Sequence, residues 1–150
     1  MAADDILIAA LRVTGALSAL RVPHFLTGSL ASSLHGVPRT TQDVDLVADL
    51  RPEHVAPLVR DLESDCFVEE DAVRAALRHE APFHVVHLES AFLVDVFASR
   101  KDAWSLQQMA RRQTVELVSP RGASLAVASA EEVLLSKLRW FSEGGGVSDQ

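Results

Sequence analysis

The chain has 150 residues, 48% of them hydrophobic and 23% charged, with a net charge of −7 and a single cysteine. That size and balance suit one globular domain, residues 1–150, able to bury a core without covalent staples. Cys66 alone excludes an internal disulfide and a cysteine-rich zinc site, and the acidic excess argues against a general nucleic-acid binder, which carries a basic surplus.

No run of about 18 apolar residues is present, so no membrane span is expected. The opening MAADDILIAALRVTG begins with two acids rather than a basic region, which speaks against a secretory leader, and the single Cys66 fits a reducing cytoplasm. Ile6, Ala10, Val13, Leu17 and Leu20 recur at helical spacing and predict an amphipathic helix over 4–20. Val22-Pro23 then turns the chain into a short apolar strand, Phe25-Leu26-Thr27. It stops at Gly28, a residue whose backbone can approach a ligand closely.

Ser29 is expected to cap a short helix carrying Leu30 and Leu34 and ended by Gly36 and Pro38. Its free amides and the Ser29 hydroxyl favour a phosphate. Asp43-Val44-Asp45-Leu46-Val47 alternates acid and aliphatic, so both carboxylates share one face of a strand and Val44 and Leu46 the other. Two like charges so close repel, and a divalent cation relieves the repulsion.

Pro52 opens a helix with Val55, Leu58, Val59 and Leu62 in one stripe, Cys66-Phe67-Val68 forms a short strand, and Asp71 caps a helix over 72–79. Strands over 83–88 and 91–98 are separated only by Glu89-Ser90, the pattern of a β-hairpin. A helix near 102–110 follows, then a strand pair over 114–118 and 124–128 around Pro120-Arg121-Gly122. Ser129-Ala130-Glu131-Glu132 matches a capping box opening a last helix to about Ser142, ended by Gly144-Gly145-Gly146. Helices mixed with hairpins point to an α+β layered fold.

Two residues break their local pattern. Asp95 is the one polar position in an otherwise apolar strand, where an ionised carboxylate needs a cation, a hydrogen-bond donor or an arginine as partner. Lys137, one of two lysines, falls on the stripe of Val133, Leu134, Leu138 and Phe141; its ammonium either reaches a triphosphate or an aspartate, or snorkels to water. Arg39, in the loop before the acids, suits phosphate geometry but equally suits the surface. The basic pairs Arg100-Lys101 and Arg111-Arg112 read as solvated surface. His84 and His87 point to opposite faces of their strand and make a poor zinc pair, His35 suits a helix cap or packing, and Trp104, Trp140 and Phe141 read as core.

Gly28-Ser29, thirteen intervening residues (30–42) and Asp43-x-Asp45 together resemble the signature of the polymerase-beta-like nucleotidyltransferase superfamily. The connecting Leu-His-Gly-Val-Pro-Arg-Thr-Thr-Gln-Asp segment is most similar to small prokaryotic nucleotidyltransferase-like proteins related to the toxins of abortive-infection toxin–antitoxin pairs. The resemblance implies a small mixed β-sheet with helices packed against it and makes Asp95 a third catalytic carboxylate, on a strand beside Asp43 and Asp45. It implies that Asp43, Asp45 and Asp95 hold Mg²⁺ or Mn²⁺, two ions about 3.5–4 Å apart in such sites, and that Gly28, Ser29, Arg39 and Lys137 contact a nucleoside triphosphate.

The implied activity is transfer of a nucleoside monophosphate to an acceptor hydroxyl on RNA, a protein or a small molecule, with an antitoxin or other protein as partner. Two rival readings use the same residues: a non-catalytic nucleotide-binding or partner-binding module of the same fold, and a phosphoesterase.

Overall fold

The computed structural model describes residues 2–35, 43–117 and 122–142. In chain order they form α1 (Ala2–Ala19), β1 (His24–Thr27), α2 (Gly28–Leu34), β2 (Asp43–Ala48), α3 (Pro52–Leu62), β3 (Cys66–Phe67), α4 (Glu70–His79), β4 (Phe83–His87), β5 (Leu93–Ala98), α5 (Ala103–Ala110), β6 (Gln113–Glu116), β7 (Ser124–Val127) and α6 (Ala130–Ser142). The strands make one mixed sheet in the order β3-β4-β5-β2-β1-β7-β6. β2 lies parallel to β5 and antiparallel to β1, which places the two strands carrying acids side by side at the centre. The expected α+β architecture is therefore the observed one.

The core lies largely on one side of this sheet. Val44, Leu46 and Ala48 of β2, Val94 and Val96 of β5, and Phe83 and Val85 of β4 are buried there. α1 packs across β2, β4 and β5 with Ile6, Ala9, Ala10, Val13, Ala16 and Leu17, and α3 packs on α1 through Val55, Leu58, Val59 and Leu62. Arg12 ties the two helices together: its Nε donates to Asp65 at 2.8 Å and its Nη2 to Asp61 at 3.1 Å. The opposite face is left to α2, α5 and α6, and with it the site.

Several local expectations are corrected. α2 begins at Gly28 with Thr27 at its N-cap, so Ser29 is not the cap; its C-cap is His35. α4 starts at Glu70 after Glu69, which puts Asp71 inside the first turn instead of at the cap. β4 stops at His87 and β5 starts at Leu93, because His87 Nδ1 bonds Ser90 Oγ at 2.8 Å and Ser90 Oγ accepts the Phe92 N–H, closing a longer turn than Glu89-Ser90 alone.

The capping box at α6 is half made. Ser129 Oγ accepts the Glu132 N–H at 3.2 Å, but the Glu132 carboxylate, fully buried, accepts from Gln107 Nε2 at 3.1 Å and Arg111 at 3.3 Å rather than turning back to the cap. The expected apolar stripe of α6 is also turned outward: Leu134, Leu138 and Phe141 are exposed, and of that set only Val133 is buried. α6 packs inward through Glu132, Val133, Ser136 and Lys137, because the bonds those polar side chains make to α5 and α2 set its rotation. Gly36, Pro38, Pro120, Arg121 and Gly144 to Gly146 lie outside the described residues.

Candidate active site

Along β2 the burial alternates with the sequence. Val44, Leu46 and Ala48 are fully buried, Asp43 is exposed and Asp45 is half-buried. The period-two pleat thus turns both carboxylates away from α1. On β5 the same alternation turns Asp95 out between buried Val94 and Val96, and the parallel register sets Asp95 directly opposite Asp45. Neighbouring strands lie about 4.8 Å apart, so these two carboxylates stem from adjacent backbone positions.

β1 flanks Asp45 on the other side, with Thr27 as its register partner. The next residue, Gly28, turns at φ +72° and passes over the Asp45 carboxylate with no room for a side chain. Gly28, Asp43, Asp45 and Asp95 are therefore brought together as expected. The Ser29 side chain and Arg39 lie outside the described residues.

The Asp45 carboxyl is pushed up to about 6, first by partial burial and then by the charges of Asp95 and Asp43. Asp95 has found a partner that the strand pattern did not name. His84 of β4 is its antiparallel register partner, and its Nδ1 lies 2.5 Å from Asp95 Oδ1. His87 is buried on the opposite face of the strand, as the alternation requires. Among the described residues, no group of three or more His, Cys, Asp or Glu side chains is gathered closely enough to hold a metal ion.

The His84–Asp95 pairing was legible in principle. A two-residue Glu89-Ser90 loop already sets residue 84 across from residue 95, and the observed register keeps that alignment although the strands end sooner.

Lys137 points inward from α6, and its Nζ lies 3.0 Å from Ser32 Oγ of α2, one turn after Gly28. His35 closes α2, with its Nε2 2.7 Å from the Ala128 carbonyl oxygen. One step along the strands from the acids, the register row Phe25–Val47–Phe97 floors a cavity of about 360 Å³. Its walls are Trp104 and Gln108 of α5 and Ser136 and Arg139 of α6. Trp104, read as core, is instead half-buried at this cavity with the Arg139 guanidinium 5.5 Å from its ring centre. Phe141 is exposed rather than core, and the Trp140 side chain is outside the described residues.

No protein-family model and no curated protein matches the sequence. Solved structures do match. TM1012 of Thermotoga maritima, assigned as a nucleotidyltransferase, superposes with a TM-score of 0.61 at 16% identity over 93% of this chain and 87% of its own. A nucleotidyltransferase-like protein of Paracoccidioides brasiliensis gives 0.57 at 21% identity over 95% and 68%. The lincosamide antibiotic adenylyltransferase LnuA gives 0.51 at 15% identity over 97% and 88%. All three superpose over most of this chain, and by fold it is nucleotidyltransferase-like.

Proposed function

We propose that the protein transfers a nucleoside monophosphate from a nucleoside triphosphate to an acceptor hydroxyl, with Asp43, Asp45 and Asp95 as the reacting-centre carboxylates. The observation that carries this reading is the register pair Asp45–Asp95 beneath the Gly28 turn. Three unlinked segments deliver two facing acids and a bare backbone to one point on an open sheet face.

The donor set fits a hard divalent cation such as Mg²⁺ or Mn²⁺. It is all oxygen, and the burial and mutual repulsion that raise the proton affinity of Asp45 are what such a cation offsets. When bound, the ions would neutralise the triphosphate and polarise the acceptor hydroxyl. Asp43 and Asp45 would hold them from β2, and Asp95 would complete the set while His84 holds its Oδ1, also taking the hydroxyl proton. Gly28 brings a bare backbone against the Asp45 carboxylate, where any side chain would push that carboxylate aside. Lys137 and Arg39 are assigned to the phosphates, Lys137 because it lies beside α2 within a turn of Gly28.

One observation favours the second reading, a non-catalytic nucleotide-binding module: Asp95 is engaged by His84 and the acids do not form a ready-made three-ligand group. Incubation with each α-labelled nucleoside triphosphate, Mg²⁺ or Mn²⁺ and a cell extract as acceptor pool separates the two. Label entering an acceptor with wild type and not with Asp45→Ala or Asp95→Asn establishes transfer. Nucleotide binding without transfer, unaltered in Asp95→Asn, establishes the module. A cellular setting with an antitoxin belongs to the same proposal and is tested by co-purification from the native host.

A further inference from the structure

The cavity beside the acids does not end at Trp104. Ala98 and Arg100 line it and also line a second cavity of about 430 Å³, whose walls include Arg74 and Arg78 of α4. The two therefore adjoin where the chain leaves β5, the first beside Phe97 and Trp104 and the second beside α4. The first part sets two aromatics among polar side chains: Phe97 is 38% exposed, and Trp104 forms a wall with Arg139 beside its ring. The second part gathers three guanidiniums from two distant segments in a chain of net charge −7.

Arg74 is tied to Glu70 at 3.3 Å and Glu80 also lines the groove. Neither Arg78 nor Arg100 forms an ion pair with an acid among the described residues. The nearby Asp102 carboxylate accepts the Ser105 N–H at 2.8 Å. Unpaired guanidiniums converging on a concave surface suit phosphate, and an exposed aromatic next to them suits a planar ring.

We propose that this groove binds the acceptor and that the acceptor carries a phosphate. A planar base would lie over Phe97 and Trp104, and a phosphate would rest on Arg78 and Arg100. The reach is right: two strand residues, about 6.5 Å, separate the Asp45–Asp95 row from the Val47–Phe97 row, and Arg100 lies at most about 16 Å along the chain from Asp95. This rests on the transfer reaction proposed above, and it narrows the acceptor from any hydroxyl to that of a nucleotide or an oligonucleotide. A polycationic acceptor is disfavoured by the same two arginines.

The test is equilibrium binding without metal or triphosphate, in EDTA, so that it stands apart from catalysis. Three fluorescent probes are compared: a nucleoside, its 5′-monophosphate and a short single-stranded RNA. Wild type is expected to bind a phosphate-bearing probe at least about 10-fold more tightly than the nucleoside. Arg78→Glu/Arg100→Glu should remove that advantage, Arg78→Lys/Arg100→Lys should keep part of it, and Asp45→Asn should leave it intact.

A gain from monophosphate to RNA that falls with salt, at a slope of about −0.7 per phosphate contacted, identifies an oligonucleotide. Equal affinity for both identifies a mononucleotide. Wild type that binds no phosphate-bearing probe, or a charge-reversed variant that binds as wild type does, overturns the proposal. Groove binding that persists while the labelled-triphosphate assay shows no transfer overturns the transfer reading instead.

Discussion

A Cβ on Gly28 would collide with Asp45 Oδ2. The glycine and the acid are seventeen positions apart in the sequence, yet the turn after β1 and the middle of β2 interlock there. Any side chain at 28 must displace the carboxylate at 45.

Gly28→Ala should therefore damage activity more than stability. Alanine at φ +72° costs about 1 kcal/mol of backbone strain, a melting-temperature loss of a few degrees for a domain of this size. Displacing Asp45 by an ångström or more should cost about 100-fold in kcat. Calorimetry and turnover measured on the same preparation check the two separately.

Asp45→Asn should do the reverse. The folded-state carboxyl sits at about 6 against an ordinary value of 3.8, so the folded protein binds more protons than the unfolded chain between those values. Stability then falls as pH rises from about 4 to about 6 and is level above that. The asparagine variant lacks that fall. With discounting for partial solvent access it should be more stable than wild type above pH 6 by on the order of 1–2 kcal/mol, and inactive. Urea unfolding of both proteins at pH 4, 5, 6 and 7.5 should show the gap opening across that window. Mg²⁺ at pH 7.5 should raise the melting temperature of wild type and not of the variant.

His84 is expected to position Asp95. Removing a hydrogen-bond partner of a metal-ligating carboxylate typically costs about 10–100-fold, so His84→Ala should lower kcat by that order and raise the Mg²⁺ concentration needed for half-maximal rate. His84→Asn, which keeps a donor, should recover part of both. His84 is 58% exposed, so equal melting temperatures for the three proteins would accompany this result, and unchanged Mg²⁺ dependence would count against the assignment.

Lys137→Met should raise the KM for the nucleoside triphosphate by about 10-fold, the scale of one charge-assisted hydrogen bond, with a smaller change in kcat. The bond to Ser32 also joins α6 to α2, so Ser32→Ala serves as the control. It removes the link and keeps the charge, and should leave KM near the wild-type value.

Much of the candidate site was legible in the sequence because a strand has a period of two. Alternation alone put Asp43 and Asp45 on one face and Val44 and Leu46 on the other, isolated Asp95 as an acid needing a partner, and separated His84 from His87. Helical spacing likewise placed Ile6, Val13 and Leu17 of α1 and the α3 stripe inside, since nothing polar competes for those faces. Local patterns failed where a side chain's partner is distant: α6 faces inward with Glu132, Ser136 and Lys137 because Arg111, Gln107, Gln108 and Ser32 wait there, and hydrophobicity alone turned it the wrong way.

Only the tertiary structure decided which strands are neighbours. The crossover that lays β5 beside β2 sets Asp95 opposite Asp45, and the turn after β1 brings Gly28 onto the same carboxylate. It also gathers Arg74, Arg78 and Arg100, unremarkable one by one, around a single groove. Sequence patterns specify which way a residue faces within its own element; which residue it meets there depends on the packing of elements far apart in the chain.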